Sequence, residues 1–101
     1  MILDVVYISA INPVHYDLGI MMLNGGKHIL CEKPLCMNEN EAKKLLAHAK
    51  LKNLFCMEAI WSRFFPSYIH LKNRLDNNEL GDIKEIDIEF GFDLTEADRV
   101  T

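Results

Sequence analysis

The stretch HILCEKPLCMNE, residues 28–39, decides the fold that we expect for the whole chain. It begins with an apolar run, His28–Cys31, that is typical of a buried strand. The run ends in Glu32, Lys33 and Pro34, and a proline has no backbone N–H with which to continue a strand. We therefore expect the strand to stop there, and we infer that something other than packing selected the charged tripeptide.

A strand and a helix are predicted on the N-terminal side of this stretch. The segment DVVYIS, residues 4–9, is β-branched and aromatic without polar alternation, which is typical of a strand covered on both faces. Asn12 is a good N-cap and Pro13 suits a first helical turn, so a helix should begin here and end at the Asn-Gly-Gly of residues 24–26. Its predicted apolar stripe is Val14, Leu18, Met21 and Met22.

A second helix and a third strand are predicted on the C-terminal side. Asn38 can cap the helix, with Glu41 three residues further on. The predicted apolar stripe of this helix is Ala42, Leu45, Leu46 and Ala49. LFCME, residues 54–58, resembles another buried strand. Three such strands joined by two helices make two βαβ units, so the fold class is α/β with a parallel sheet.

The character of the sequence changes after Trp61. A third helix is expected to begin at Pro66 and to end at Gly81. The segment KEIDIEFGF, residues 84–92, alternates apolar and polar side chains, which predicts a half-buried strand of an antiparallel sheet. We therefore expect a domain boundary in or near this third helix.

Composition narrows the classes of partner. The chain has 101 residues, 50% hydrophobic and 26% charged, as in one soluble globular unit. Its 11 Lys+Arg are interspersed with 15 Asp+Glu, so no basic stripe predicts a nucleic-acid partner. No apolar run approaches the roughly 20 residues of a membrane span, and we expect a cytoplasmic protein without a membrane partner. The cysteines Cys31, Cys36 and Cys56 form no CxxC pair, which favours reduced thiols over a disulfide or a metal site.

Unusual side chains follow each predicted strand. Because the carboxyl ends of parallel strands share one edge of the sheet, where ligands bind, we expect these residues to meet there. The candidates are Asn12, Pro13, His15, Glu32, Lys33, Pro34, Glu58, Trp61 and Arg63. Each has a simpler interpretation on its own. His15 could be a cap or solvated residue, Trp61 a core residue, and Glu58–Arg63 a surface ion pair.

Lys33 is the strongest candidate for a catalytic group. Pro34 disfavours helical geometry at Lys33 and keeps it extended, so the backbone directs the ammonium. A fixed cation stabilises the negative charge that develops on a hydroxyl oxygen as hydride leaves its carbon. The alternative is that Lys33 only pairs with Glu32 in a loop.

Three segments together resemble a known family. They are DVVYISAINPVHY (residues 4–16), GKHILCEKPLCMN (26–38) and MEAIWSRFFPSY (57–68). Their order and spacing resemble the Gfo/Idh/MocA oxidoreductases, in particular members that act on trans-dihydrodiols or D-xylose. The resemblance implies hydride transfer from a dihydrodiol or sugar hydroxyl to NADP, with NAD as the alternative, in a homodimeric enzyme.

The resemblance also implies roles for individual residues. Lys33 would lie beside the nicotinamide and the substrate hydroxyl and act in catalysis. The implied cofactor-binding residues are Asn12, Pro13, His15, Glu32, Lys33 and Pro34, and the implied substrate-pocket residues are Trp61 and Arg63. No metal is implied.

The sequence departs from the family pattern in two places. The G-x-G-x-x-G turn that holds the pyrophosphate is absent, and the catalytic tyrosine is expected beyond Thr101. We therefore expect the middle of a larger enzyme, with uncovered apolar sheet faces. Residues 1–62 would be the second half of a Rossmann-type parallel sheet. Residues 63–101 would be the first helix and strand of an antiparallel-sheet α+β domain.

Two alternatives remain open from the sequence. One is a non-catalytic remnant or interaction fragment, which would join an oligomer of the longer enzyme through its exposed sheet edge. The other is a small self-contained α/β domain of flavodoxin-like topology that binds a different nucleotide.

Overall fold

The computed structural model describes residues 3–91. The chain divides into two units, Met1–Phe65 and Pro66–Thr101, which are described separately. The first unit contains strand β1 (Val5–Ile8), a 3-10 turn (Asn12–Val14), helix α1 (His15–Asn24), strand β2 (His28–Cys31), helix α2 (Glu39–Leu51), strand β3 (Cys56–Glu58) and a second 3-10 turn (Trp61–Phe64).

The three strands form one parallel sheet in the order β1-β2-β3. Tyr7 lies opposite Leu30, and Leu30 lies opposite Met57, so these three side chains share a face. The α/β fold class is thereby confirmed, and β2 has the predicted bounds, whereas β1 and β3 are shorter than the apolar runs that contain them. A strand extends only as far as its neighbour offers hydrogen bonds, and the apolar runs continue past that point.

Both helices of this unit contribute to a core on one face of the sheet. The buried apolar residues of that core are Ile8, Leu23, Ile29, Cys31, Leu35, Cys36, Leu45 and Ala49. On the opposite face, Val5 and Tyr7 are 55% and 54% exposed. The prediction that the first strand is covered on both faces is therefore wrong for residues 3–91. The expected uncovered apolar face is confirmed.

Helix α1 buries a face that only partly overlaps the predicted one, since Leu18 and Met22 of the predicted stripe pack against the core. Its buried residues are His15, Gly19 and Leu23, while Met21 of the predicted stripe is 56% exposed. The reason is the missing side chain at Gly19, where a Cβ would lie 2.8 Å from Cδ1 of Leu45. A glycine on the contact face lets α1 and α2 approach closely, so the helix turns this face inward.

The two predicted helix caps have different outcomes. Asn38 accepts a hydrogen bond from the Glu41 backbone N–H at 2.9 Å, which confirms the cap of α2. Asn12 does not cap a helix, because it is itself the first residue of the 3-10 turn and Ile11 occupies the cap position without a side-chain bond. Pro13 lies in that first turn, as predicted.

The second unit begins with helix α3, Pro66–Asp76. The helix starts at the predicted proline but ends at Asp76, five residues before Gly81. Asn78 and Gly81 then adopt positive φ values of 55° and 66°, which end the helical path. None of the helical residues of α3 is buried within the described part of the chain.

The segment after α3 has neither helix nor strand in residues 82–91. The strand predicted at 84–92 is therefore not formed over its described part, and Phe92 lies outside the described residues. A strand requires a hydrogen-bonded neighbour, and residues 3–91 provide none for it. Ile86, Ile88 and Phe90, its apolar positions, are 73%, 79% and 77% exposed. Within residues 3–91 no helix is long and apolar enough to cross a lipid bilayer.

Candidate functional site

The carboxyl edge of the sheet fixes the backbone of the charged tripeptide. Beyond the last residue of β2, the backbone N–H of Glu32 donates to the Ile8 carbonyl at 2.9 Å. On the other side, Ala59 donates its N–H to the Cys31 carbonyl at 2.7 Å. Hydrogen bonds from both neighbouring strands thus hold β2 up to the point where Lys33 begins. The position of Glu32 is set by the sheet rather than by a flexible loop.

The side chain of Glu32 is held by two donors. The Tyr7 hydroxyl donates to Oε1, and the backbone N–H of Lys33 donates to Oε2 at 3.1 Å. The bond from Tyr7, followed by the bond from Lys33, lowers the pKa of the Glu32 carboxyl below its usual value. The same contact raises the pKa of the Tyr7 phenol, because the phenolic proton is held by a carboxylate. Glu32 is therefore a fixed anion, and Tyr7 a protonated donor.

Lys33 is exposed, and its peptide bond to Pro34 is cis. Its ammonium makes no ion pair within 4.0 Å in the described part of the chain, although Glu32 is the next residue. The alternative that Lys33 serves to pair with Glu32 in a loop is therefore not realised here. The ammonium is available to a ligand at the sheet edge.

His15 lies inside the protein, with no exposed surface. Its Nδ1 is 2.8 Å from the Pro34 carbonyl oxygen and its Nε2 is 2.9 Å from that of Ala10. Both contacts are hydrogen bonds at once only when each ring nitrogen carries a proton. The imidazole ties the loop after β1 to the loop after β2. The ring itself has no exposed surface to offer a ligand.

Glu58 lies at the end of β3 and binds the loop that follows Pro34. Its Oε1 accepts the backbone N–H of Leu35 at 2.7 Å. Arg63 is exposed and forms no ion pair with Glu58 within residues 3–91. The alternative of a Glu58–Arg63 surface pair is therefore wrong for this structure. Together with His15, Glu58 fixes the segment that presents Lys33.

A cavity of about 300 Å³ opens on the uncovered face of the sheet, next to Glu32. Its walls include Tyr7, Leu30, Glu32, Met57, Trp61 and Phe64. Trp61 is 56% exposed, and its ring meets that of Phe65 edge to face, with centroids 5.1 Å apart. Trp61 is therefore not a core residue. It contributes an accessible aromatic wall to a cavity that Tyr7 and Glu32 also line.

Not all predicted site residues converge. Asn12, Pro13, Lys33, Pro34 and Arg63 are exposed and do not line this cavity. Within residues 3–91 no group of three His, Cys, Asp or Glu side chains could hold a metal ion.

Tyr7 is the functional candidate that sequence reasoning missed. The signal for it was a single tyrosine in an otherwise aliphatic strand, close to the carboxyl end where ligands bind. Its partner is 25 residues away, so only the pairing of β1 with β2 reveals the contact.

Comparison with known proteins gives consistent results. Residues 2–60 match the family GFO_IDH_MocA, described as an oxidoreductase family with an NAD-binding Rossmann fold. The chain is 47% identical over 97 residues to the trans-1,2-dihydrobenzene-1,2-diol dehydrogenase of Xenopus tropicalis. The aligned residues cover 96% of this chain and 29% of that protein. The chain thus spans 29% of the length of this curated relative.

Two solved structures are similar in backbone. One is an NAD-binding oxidoreductase from Klebsiella pneumoniae, with a TM-score of 0.73, 31% identity and coverage of 77% of this chain and 21% of that chain. The other is a 3-ketoreductase from Actinomadura kijaniata in complex with NADP, with a TM-score of 0.68, 30% identity and coverage of 78% and 25%.

Proposed function

Because the chain belongs to the Gfo/Idh/MocA family of oxidoreductases, we propose that the full-length product of its gene oxidises a vicinal diol or sugar hydroxyl by hydride transfer to NADP. A trans-dihydrodiol and a D-xylose-like sugar are the proposed substrates, and NAD is the alternative cofactor. The dihydrodiol dehydrogenase of Xenopus tropicalis supports the substrate class. The ketoreductase bound to NADP supports the cofactor. Membership of this family argues against the alternative of a self-contained flavodoxin-like domain.

The single observation that carries this proposal is the free ammonium of Lys33 at the carboxyl edge of the sheet. When hydride leaves a carbinol carbon, negative charge grows on the oxygen, and a nearby fixed cation lowers the energy of that transition state. Hydrogen bonds from both neighbouring strands hold the backbone beside Lys33, and Glu58 holds the loop that follows it. The backbone from which the cation projects is therefore held before a substrate arrives, and a charged group is more effective when its position is fixed in advance.

The chemistry of the cavity fits a nicotinamide cofactor. Trp61 and Phe64 offer apolar ring faces, and the fixed carboxylate of Glu32 offers lone pairs to a hydroxyl or amide donor. We assign Glu32, Lys33 and Pro34 to the wall beside the cofactor, together with the exposed turn that begins at Asn12 and Pro13. His15 acts through the loops that it joins. When bound, the cofactor would accept the hydride.

We assign substrate contacts to Trp61 and, at the rim, to Arg63. We also propose that residues 1–62 belong to the cofactor-binding domain and that residues 63–101 begin the domain that completes the substrate site. We further propose that the full-length protein is a homodimer and that it is located in the cytoplasm. The cytoplasmic location agrees with three cysteines that remain free thiols.

Substitution of Lys33 tests the function. In the full-length gene product, Lys33→Met should lower kcat for dihydrodiol and D-xylose oxidation by about a hundredfold or more, the scale of losing one oriented electrostatic group. Lys44→Met changes an exposed lysine on α2 in the same way and should leave kcat unchanged. Equal activity of the Lys33→Met variant and the wild type would reject the assignment.

Calorimetry on the 101-residue chain tests how much of the site the chain holds. We expect no tight NADP binding, because the pyrophosphate-binding turn is absent from the sequence. Micromolar affinity would contradict this expectation. The interaction-fragment alternative instead predicts that the chain co-purifies with the longer enzyme and has no activity of its own.

A further inference from the structure

Tyr7 and Glu32 share the uncovered face of the sheet. Tyr7 lies opposite Leu30 in the parallel register of β1 and β2. Side chains alternate along a strand, so Glu32, two residues beyond Leu30, projects from the same face. Both residues line the cavity that holds Trp61. The phenol of Tyr7 therefore reaches Glu32 diagonally along the sheet, toward the carboxyl edge at which Lys33 follows Glu32.

Two neutral groups satisfy the two oxygens of the Glu32 carboxylate. Oε1 accepts from the Tyr7 hydroxyl, and Oε2 accepts from the backbone N–H of Lys33. Besides the bonds from Tyr7 and from the Lys33 backbone, the charge of Lys33 also lowers the pKa of the Glu32 carboxyl, yet no ion pair involves Glu32 within residues 3–91. The phenol thus competes with the ammonium for this carboxylate.

We propose that Tyr7 is a positioning residue that holds Glu32 at the rim of the cavity and keeps it out of an ion pair with Lys33. This inference rests on the proposed function, in which the free Lys33 ammonium stabilises the reacting oxygen. It adds a residue of β1 to a site that the sequence motifs place after the strands.

The protonation states fit this role. Its hydrogen bond to Glu32 raises the pKa of the Tyr7 phenol, so the hydroxyl remains a donor at neutral pH. The same bond lowers the pKa of Glu32, so the acceptor remains an anion. Without the hydroxyl, Oε1 loses its donor, and the ammonium of the next residue is an available replacement. The substrate oxygen would then share Lys33 with a competing carboxylate.

The competing interpretation is that Tyr7 only forms an apolar wall of the cavity. Tyr7→Phe separates the two, because phenylalanine keeps the ring and removes only the hydroxyl. Tyr16→Phe is the matched control, since Tyr16 is a partly buried tyrosine on α1 that packs against the core. Thermal unfolding of both variants checks that the fold is retained.

The experiment measures kcat and KM of the full-length gene product together with the titration of the Glu32 carboxyl by carbon NMR. Tyr7→Phe should lower kcat by about fivefold, the scale on which an exposed ion pair competes. It should leave KM within about twofold and raise the pH at which Glu32 titrates. In a Glu32→Gln background, Tyr7→Phe should have no further effect on kcat, because no carboxylate remains to compete.

Two results would overturn the proposal. One is that Tyr7→Phe changes neither kcat nor the titration of Glu32. The other is that Tyr7→Phe lowers kcat equally in the wild-type and Glu32→Gln backgrounds. A wild-type protein without turnover would reject the proposed function instead. The Glu32 titration would then test, independently of turnover, whether Tyr7 positions the Glu32 carboxylate.

Discussion

The carboxylate of Glu58, at the end of β3, accepts the backbone N–H of Leu35 at 2.7 Å. Leu35 is buried, and it follows the peptide bond between Lys33 and Pro34. One side chain therefore anchors the segment that leaves β2 to the end of the neighbouring strand. The contact explains why an acidic residue ends a strand that otherwise consists of the apolar residues Cys56 and Met57.

Removal of this anchor should destabilise the chain. Glu58→Ala leaves the buried N–H of Leu35 without its acceptor, and we expect the free energy of unfolding to fall by about 1–3 kcal/mol. Glu58→Gln keeps an acceptor oxygen and should lose less than the alanine variant. Urea unfolding of the three proteins measures both effects. Equal stability of Glu58→Ala and the wild type would show that the contact is not formed in solution.

Gly19 should not tolerate a side chain. A Cβ at this position would lie 2.8 Å from Cδ1 and 3.2 Å from Cδ2 of Leu45, which is itself fully buried. We expect Gly19→Ala to lower the free energy of unfolding by about 1–3 kcal/mol, since overpacking forces neighbouring side chains apart. Gly91→Ala is the control, because nothing lies within 4 Å of its added Cβ. A stable Gly19→Ala variant would contradict the close approach of α1 and α2.

His15 should stabilise the two loops rather than bind a ligand directly. His15→Phe fills the same buried space but removes the ring nitrogens that contact the carbonyls of Ala10 and Pro34. The expected loss is about 2–3 kcal/mol in the free energy of unfolding, as for a buried polar group without a partner. His70→Phe, at an exposed position of α3, should change it little. If His15→Phe unfolds like the wild type, the imidazole does not join the loops.

The buried thiols should be unreactive while the chain is folded. Burial raises the pKa of Cys31 to about 11, and that of Cys36 to about 11, from an ordinary value of 9.0. The thiolate is the reactive form, so alkylation at about pH 8 should modify neither residue until the chain unfolds. Mass spectrometry of peptides alkylated with and without urea gives the comparison. Equal labelling in both conditions would exclude buried thiols.

The same raised pKa values predict a dependence of stability on pH. Because the folded-state pKa lies above the unfolded value, the stabilisation by each protonated thiol is complete below about pH 9 and is lost as the pH rises toward about 11. The double variant Cys31→Ala, Cys36→Ala should lose less stability over this range than the wild type. An identical pH dependence of the two proteins would contradict the assignment.

Local signals made part of the fold predictable. The strand His28–Cys31 and the cap by Asn38 depend on neighbouring residues, and both are found as predicted. The α1 face was predicted only in part: Leu18 and Met22 pack against the core, but hydrophobicity favours Met21 where close packing favours Gly19. A local signal cannot report what lies across an interface, so single-sequence reasoning ranks side chains by size and polarity alone.

The candidate site was predictable in its location and not in its contacts. Lys33 follows from the charged tripeptide, since parallel strands place such residues at one edge. Tyr7 binds Glu32 of that tripeptide from 25 residues away, and Glu58 binds Leu35, directly after the tripeptide, from 23 residues away. The register between strands determines these contacts. The alternating segment at 84–92 shows the converse, since its pattern predicts a strand for which residues 3–91 supply no neighbour.

Trp61 is the only tryptophan in the sequence, and it lies half exposed in the wall of the cavity next to Glu32. Excitation at the red edge of protein absorption therefore selects the emission of this one side chain. A ligand that enters the cavity displaces water from the indole and shifts its emission to shorter wavelength. Unfolding shifts the emission in the opposite direction. The protein thus carries a built-in optical probe that reports occupancy of the site and loss of the fold as separate signals.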